Sequence, residues 1–322
     1  MTLSLTLKNM EKDWTLVIRP RERLWNVDFR EIWRYRDLIE LFVRRNIVVQ
    51  YKQTVLGPLW YLIQPILTVI MNMVVFGGIA KMSTDGVPQP LFYMAGNVCW
   101  FYFSDCLNQT SKTFTDNQAM FGKVYFPRLV VPIATVVSNL LRFAIQLALF
   151  AALWVIFNVN DNVNVNFGTI LNPAAFPPSL VDVHVDVLVN LIIVIVNVIV
   201  IVLLVIFIVT LLAGLGLGFG ILVSSMTTKY RDLTILFTFI VQLWMYGTPI
   251  VYPLSMVPEG ALRTLILANP MTPVIEAFKY VTLGQGYFSW WALGYSFAFM
   301  TVLLILGIVV FNKVQRSFMD TV

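Results

Sequence analysis

The chain has 322 residues, of which 58% are hydrophobic and 12% charged, with a net charge of +5 and a mean hydropathy of +0.79. A soluble domain is about 25% charged, and a core of this size would not hide so much apolar surface from water. The composition therefore excludes an ordinary soluble domain and predicts an all-α membrane protein.

Residues 29–52 form the first predicted element, an amphipathic helix. Its apolar residues share one face: Ile32, Tyr35, Ile39 and Phe42. Its charged residues lie largely on another: Arg30, Arg34, Asp37 and Arg44. The segment is too charged to cross a bilayer, so we expect it to lie in the cytoplasmic interface. Gly57 then breaks the helix and Pro58 starts the next one, which predicts an elbow that is either a simple anchor or a moving gate.

Six apolar stretches are predicted to be transmembrane helices: 59–80, 91–111, 129–157, 188–226, 233–253 and 290–312. A span needs about 20 mainly apolar residues, so the fourth stretch is long enough for two. Six spans leave 18 of the 22 lysines and arginines in the cytoplasm and only Lys81, Arg263 and Lys279 outside. The positive-inside rule therefore favours six spans with both termini in the cytoplasm. The fourth helix must then project beyond the bilayer or tilt strongly.

Two connecting segments are longer than simple turns require. Residues 158–190 form a predicted external insertion in which Asn and Val alternate, as in a strand. This pattern fits a small external hairpin or a plain linker. Residues 112–128 are predicted to hold a short cytoplasmic helix, at about 115–127, whose apolar residues offer a partner surface or rest on lipid.

Two charged residues, Asp105 and Arg142, fall inside predicted spans. Charges within a membrane are costly and are usually paired or functional. Counting along the two helices places the residues about 5–10 Å apart in depth. A salt bridge between them is therefore one expectation, provided that Arg142 bends towards the cytoplasm.

Aromatic residues crowd the predicted span ends, and most such residues form interfacial belts. Their flat apolar faces also suit a sugar polymer that must slide. Other kinds of site are missing from the sequence. Gly122-Lys123 is followed by Val124, which breaks the phosphate-loop pattern, and no acid–base carboxylate pair or His/Cys metal set is present. We interpret the chain as a transport path whose energy comes from another protein.

Several stretches together resemble the membrane subunit of ABC-type polysaccharide exporters. They are VQYKQTVLGPLWYLIQPILTVIMNMVVFGGIA (49–80), GKVYFPRLVVPIATVVSNLL (122–141), TTKYRDLTILF (227–237), YGTPIVYPLSMVP (246–258) and NPMTPVIEAFKYVTLG (269–284). The resemblance runs from about residue 15 to the C-terminus. It implies two copies of this chain with two copies of a separate ATPase that holds ATP and Mg. The implied substrate is a lipid-pyrophosphate-linked glycan.

The resemblance also implies roles for individual residues. Gly57 and Pro58 resemble the elbow after a gate helix, and residues 254–284 resemble re-entrant external helices between spans five and six. The first and fifth spans would line the channel, with the aromatic residues Trp60, Tyr61, Trp244 and Tyr246. Two cytoplasmic turns would contact the ATPase, through Asn117, Phe121, Lys123, Tyr125, Arg128, Tyr230 and Arg231. The long 158–190 region departs from the family.

The basic cluster Arg44, Arg45 and Lys52 is interpreted as the entry site for the substrate pyrophosphate, because both residue types pair strongly with phosphate oxygens. Positive-inside anchoring is the alternative. The prediction is thus a permease for undecaprenyl-pyrophosphate-linked polysaccharide, with O-antigen foremost, in the bacterial inner membrane. This prediction includes no catalytic residues, no metal and no nucleic-acid partner. Alternatives are a related exporter for teichoic acid, capsule, drugs or lipids, and a membrane-bound sugar transferase, which would need acidic or metal-binding residues grouped at one membrane face.

Overall fold

The computed structural model describes residues 29–52, 56–121, 123–124, 126–160, 183–228, 230 and 232–321. Within these ranges all regular secondary structure is helical, which confirms the all-α prediction. The helices are α1 (Phe29–Arg34), α2 (Arg36–Tyr51), α3 (Trp60–Asn72), α4 (Gln89–Thr110), α5 (Thr113–Asp116), α6 (Gln118–Phe121), α7 (Val130–Asn160), α8 (Val183–Thr227), α9 (Leu233–Trp244), α10 (Ala261–Ala268), α11 (Met271–Leu283) and α12 (Trp290–Thr321).

Four helices are long and apolar enough to cross a membrane, which makes this a multi-pass membrane protein. Their apolar parts are Trp60–Ile79, Val130–Asn158, Ile195–Thr227 and Trp290–Gln315. The first combines α3 with the π-helix Met73–Ile79 that continues it. The predicted second span, α4, has 22 residues but is not among the four. It buries 15 of its side chains against α3, α7, α8 and α11, so it faces protein rather than lipid and tolerates polar residues.

Two of the predicted spans have different limits in the structure. Helix α8 is uninterrupted over 45 residues, about 67 Å at 1.5 Å per residue, and no turn divides it. Helix α9 stops at Trp244 instead of running to residue 253, because Gly247, Pro249 and Pro253 follow and residues 245–250 form turns. Its 12 residues span only about 18 Å, less than a bilayer core of about 30 Å. The count of six spans stays a prediction.

The two ends of the bundle differ in composition. One end, here called the basic end, carries α2, α5, α6 and the first turns of α3. The opposite end carries the 81–88 loop, α10 and α11, and α11 is buried against α4, α8 and α12. The membrane depth of α10 and α11, predicted to be re-entrant, remains untested. Of the predicted insertion, 161–182 lies outside the described residues, and 183–190 already belongs to α8.

Glycines set the distance between the central helices. A Cβ built on Gly220 would lie 2.5 Å from the Cβ of Thr110 and 3.2 Å from the carbonyl oxygen of Leu107, both on α4. One turn earlier, a Cβ on Gly216 would lie 2.7 Å from the Cβ of Cys106. Small residues at this spacing let membrane helices approach closely. The central α4–α8 contact therefore depends on having glycine, which has no side chain, at these two positions.

We predict that Gly220→Ala destabilises the protein by about 1–3 kcal/mol, because the new methyl group has no room beside α4. The matched control is Gly294→Ala on α12, where an added Cβ meets no atom within 4 Å. Alanine is the better helix former by up to about 1 kcal/mol, so the control should gain stability. The measurement is the thermal midpoint of the purified chain in detergent. A higher midpoint for both variants would contradict the close approach.

Candidate functional site

Gly57 and Pro58, where an elbow is predicted, lie outside the α-helices. Helix α2 ends at Tyr51, and a 3-10 turn over Gly57–Leu59 leads directly into α3. Gly57 has φ +47°, a left-handed conformation that costs other residues about 1–2 kcal/mol. Residues 53–55 between them lie outside the described residues. The backbone at Gly57 thus adopts a conformation that favours glycine, and the elbow itself stays a prediction.

The predicted interfacial helix is interrupted at one residue. Tyr35 has φ −93° and ψ 22°, so the predicted 29–52 helix is divided into α1 and α2. The predicted pyrophosphate site lies on α2 and just beyond it, where Arg44, Arg45 and Lys52 are exposed. The guanidinium of Arg45 lies over the ring of Phe42 at 4.7 Å. These cations therefore face outwards from the basic end, while the opposite face of α2 turns inwards.

Five phenylalanines form a cluster at the basic end, which we call the aromatic junction: Phe42, Phe114, Phe121, Phe126 and Phe311. Phe42 of α2 and Phe126 pack edge to face with centroids 5.8 Å apart. Phe121 of α6 lies 5.8 Å from Phe126, and Phe311 of α12 lies 4.6 Å from Phe114. The junction therefore joins the interfacial helix, residues 113–128 and the last helix.

The predicted ATPase contacts divide into buried and exposed residues. Phe121 and Arg128 are 3% and 5% exposed, so they hold residues 113–128 to the bundle instead of presenting a surface. Arg128 donates to the carbonyl of Gln315 at 3.0 Å and lies over the Phe121 ring, and its burial lowers its pKa. Asn117 is half-buried and donates to the carbonyl of Thr113 at 3.0 Å.

Two predicted contacts remain on the surface at the basic end. Lys123 and Tyr230 are exposed, whereas Tyr125 and Arg231 lie outside the described residues. The predicted helix over 115–127 is in fact two four-residue turns, α5 and α6. The two turns of the chain at this end are also tied together, since Thr227 at the end of α8 donates to the carbonyl of Ser111 at 3.2 Å.

Asp105 and Arg142, for which a salt bridge was one expectation, form an ion pair in the structure. Nη1 of Arg142 on α7 lies 2.7 Å from Oδ2 of Asp105 on α4. Nη2 of Arg142 donates to Oε1 of Gln64 on α3 at 2.6 Å, and the guanidinium lies 5.0 Å from the centre of the Tyr61 ring. Tyr61 is therefore buried beneath a cation. Sequence reasoning found the two charges but missed Gln64.

Of the four predicted channel aromatics, two point away from the bundle. Trp60 and Tyr246 are 50% and 57% exposed. Trp244 is half-buried, with its ring edge-on to Phe103 at 5.4 Å and to Phe219 at 5.1 Å. Tyr61 is also turned inwards. Only Trp60 and Tyr246 thus offer open ring surface to another molecule.

Tyr246 lines an apolar cavity at the opposite end of the bundle. The cavity has a volume of about 430 Å³ and lies among the turns after α9, the 254–256 turn and α10. Its lining includes Met82, Tyr252, Met256 and Leu265. Volume and lining are those of a pocket for apolar groups.

A buried ion pair, which sequence reasoning missed, fixes the same end. The Lys279 ammonium is 3.7 Å from Glu276, donates to the carbonyl of Pro249 at 2.5 Å and lies 3.8 Å from the Phe92 ring centre. Glu276 in turn accepts from the backbone N–H of Tyr287 at 3.0 Å. The available signal was a Glu and a Lys three residues apart in an otherwise apolar helix.

Comparisons with known proteins agree with this architecture. Residues 173–283 match the family model of ABC-2 type transporters. The chain is 24% identical over 253 residues to the O-antigen export system permease protein RfbA of Myxococcus xanthus, covering 78% of this chain and 82% of that protein. Two Klebsiella pneumoniae proteins of the same name are 22% and 20% identical over 284 and 290 residues. Each alignment covers 88% of this chain and 94% of the Klebsiella protein.

The resemblance to membrane subunits of ABC-type polysaccharide exporters is confirmed. An ABC-2 permease is a transport subunit without its own ATPase, and it implies an ATPase partner. The matched residues include α8, α9, α10 and α11. The family model thus covers the central glycine-rich helix and the helices of the opposite end, whereas the relatives extend over most of the chain.

We predict that Phe42→Ala frees α2 from the aromatic junction. Truncating a buried phenylalanine costs about 3–5 kcal/mol, and Phe42 is the junction's contact from α2. Hydrogen–deuterium exchange of residues 36–51 in the full chain should rise. Leu41→Ala is the control, because Leu41 is 60% exposed and its loss leaves no cavity. Equal exchange in both variants would contradict the anchoring role of Phe42.

We predict that Lys279→Met lowers stability by about 3–5 kcal/mol, because it leaves the Glu276 carboxylate buried without its cation. The double variant Glu276→Gln/Lys279→Met should lose much less. Arg263→Met is the control, since its pair with Glu259 is 3.6 Å long and lies at the surface, where the Glu259 side chain is 92% exposed, and such pairs contribute about 0–1 kcal/mol. Thermal midpoints in detergent check all three. If the double variant loses as much as Lys279→Met, the pairing argument fails.

Proposed function

We propose that the chain is the channel-forming permease subunit of an ATP-driven exporter of undecaprenyl-pyrophosphate-linked polysaccharide, with O-antigen as the foremost substrate. The observation that carries this proposal is the similarity to three O-antigen export permeases over 78–88% of the chain. Two copies of the chain assemble with two copies of an ATPase, which binds ATP and Mg. The complex lies in the bacterial inner membrane, and both termini of this chain are cytoplasmic.

The elbow at Gly57 and Pro58 acts as the hinge of a gate in this proposal. Hinges are a few residues that absorb changes in φ and ψ, and the positive φ of Gly57 supports such a role. The cations Arg44, Arg45 and Lys52 receive the substrate pyrophosphate at the basic end. Their exposure leaves their charges available to an anion, and arginine forms strong paired hydrogen bonds with phosphate oxygens.

The ATPase docks on the surface that carries Lys123 and Tyr230. Its motion reaches the gate helix through the aromatic junction, because Phe121 of the docking segment and Phe42 of α2 both contact Phe126. Close packing transmits displacement, since such interiors are hardly compressible. The buried residues Phe121 and Arg128 thus act behind the docking surface and not on it.

The channel forms along α3 and α9, which leave apolar side chains exposed: Ile66, Leu67, Ile70, Met71, Ile235, Leu236 and Phe239. Trp60 and Tyr246 add exposed rings at their ends. Such rings contact the apolar faces of sugars without fixed hydrogen bonds, so a polymer can slide past them. The same architecture suits teichoic acid or capsule, and the substrate of the relatives favours O-antigen.

We predict that the chain, expressed together with its partner ATPase, restores surface O-antigen to a host that lacks its own export permease. Gly57→Val should abolish most of this export, because valine disfavours the positive φ of the hinge. Surface polysaccharide per assembled transporter is the measurement. An absence of surface polymer with the wild-type chain would overturn the proposal.

Gly86→Val is the matched control for Gly57→Val. Gly86 also has a positive φ, +82°, but lies at the opposite end with no atom within 4 Å of an added Cβ. Both substitutions strain the backbone in a similar way, so a general loss of stability should affect them alike. Equal export by the two variants would argue against a hinge at Gly57.

A further inference from the structure

The helix that follows the elbow, α3, has an irregular backbone. Helix α3 contains Pro65, which has no N–H to donate to the carbonyl of Tyr61, and a 3-10 turn precedes the helix. The π-helix Met73–Ile79 continues it, and such segments are rare and frequent at functional sites. The membrane-crossing segment and the turn before it thus combine three helical types and an interior proline.

The same segment is held to the bundle by little buried surface. Helix α3 buries one narrow row of side chains: Tyr61, Pro65, Val69 and Asn72. The π-helix that follows has no buried residue. By contrast, α4 buries 15 of its 22 residues. The attachment of α3 near the elbow therefore depends strongly on its few polar contacts.

The Arg142 guanidinium supplies such a contact two turns after the elbow. It forms an ion pair with Asp105 on α4, at 2.7 Å, and so stays on the fixed part of the bundle. On its other side it contacts α3, through the Gln64 amide oxygen at 2.6 Å and the Tyr61 ring at 5.0 Å. The fixed side is ionic, whereas the α3 side is neutral and easier to break.

We propose that Arg142 is a positioning residue for export: its guanidinium latches α3 through Gln64 and Tyr61, and the export cycle releases this latch while the Arg142–Asp105 ion pair stays intact. This inference rests on the proposed function. Holding α3 gives the hinge at Gly57 a fixed partner, so that motion of α2 opens the elbow. Releasing α3 then lets the channel wall move as the polymer enters.

The first test of the latch measures the distance between spin labels on α3 and α7, without substrate. Spin labels at Leu67→Cys on α3 and Val155→Cys on α7 occupy exposed positions, while Cys99 and Cys106 are buried. Labelled full chain is diluted with unlabelled chain in lipid vesicles. Gln64→Leu should raise the fraction of molecules with a displaced α3 about three- to tenfold, as expected for one polar contact between membrane helices. Gln64→Glu should lower that fraction, because a carboxylate binds the guanidinium more strongly.

Two further variants separate the latch from general stability. Thr68→Val is the control, because Thr68 lies one turn along and donates only to the carbonyl of Gln64 in its own helix. It should leave the distances unchanged. Arg142→Lys keeps a cation for Asp105 but loses the planar fork that reaches Gln64. This variant should have the thermal midpoint of the wild-type chain, but its label distances should match those of Gln64→Leu. Unchanged distances in Gln64→Leu would overturn the latch.

Export then distinguishes a releasable latch from a simple strut. Gln64→Leu and Gln64→Glu should both slow export, the first because α3 is not held and the second because it is not released. A strut predicts wild-type or faster export for Gln64→Glu, and that result would overturn the proposal. If the wild-type chain exports no glycan, the proposed function fails, while the label distances still decide whether Arg142 positions α3.

Discussion

The close approach of α8 to α4 is the contact on which the rest of the bundle depends. Gly216 and Gly220 leave no room for a side chain there, so the two backbones come together over the turn that these residues span. Because α4 is then surrounded by α3, α7, α8 and α11, it carries polar residues that a lipid-facing helix would not tolerate. This arrangement places Asp105 where Arg142 reaches it, and Phe92 beside Lys279. The functional groups at both ends thus depend on a central helix shielded from lipid.

Charge within the bundle is used in the same way at both ends. Arg142 near the basic end and Lys279 at the opposite end each contact a carboxylate, an uncharged oxygen acceptor and an aromatic ring. A buried cation requires such partners, because an unpaired charge in a dry interior is very costly. Since these partners belong to different segments, each cation fixes the relative positions of several segments. Contacts of charged side chains thus hold segments together in a bundle that is otherwise apolar.

The helices differ in how completely they are buried. Helix α4 buries most of its residues, whereas α3, α7, α8, α9 and α12 leave apolar side chains exposed. The aromatic junction connects α2 to residues 113–128. The proposed function requires that the work of an external ATPase reach a path through the membrane. A buried central helix, a phenylalanine contact and helices with exposed apolar faces are suited to that task.

The sequence by itself determined the membrane class, the helical fold and the uninterrupted α8, marked Gly57 as a helix break, and placed Asp105 and Arg142 at depths that allow a salt bridge. These features follow from local composition, from spacing along one helix and from the high cost of a lone charge in lipid. Only the tertiary structure decided that Phe121, Tyr61 and Trp244 turn inwards, that α9 is short, and that Lys279 is buried. Hydropathy cannot separate a lipid-facing side chain from a core side chain in a chain this apolar. Which face is buried depends on contacts between residues far apart in sequence, such as Arg128 with Gln315 and Gln64 with Arg142.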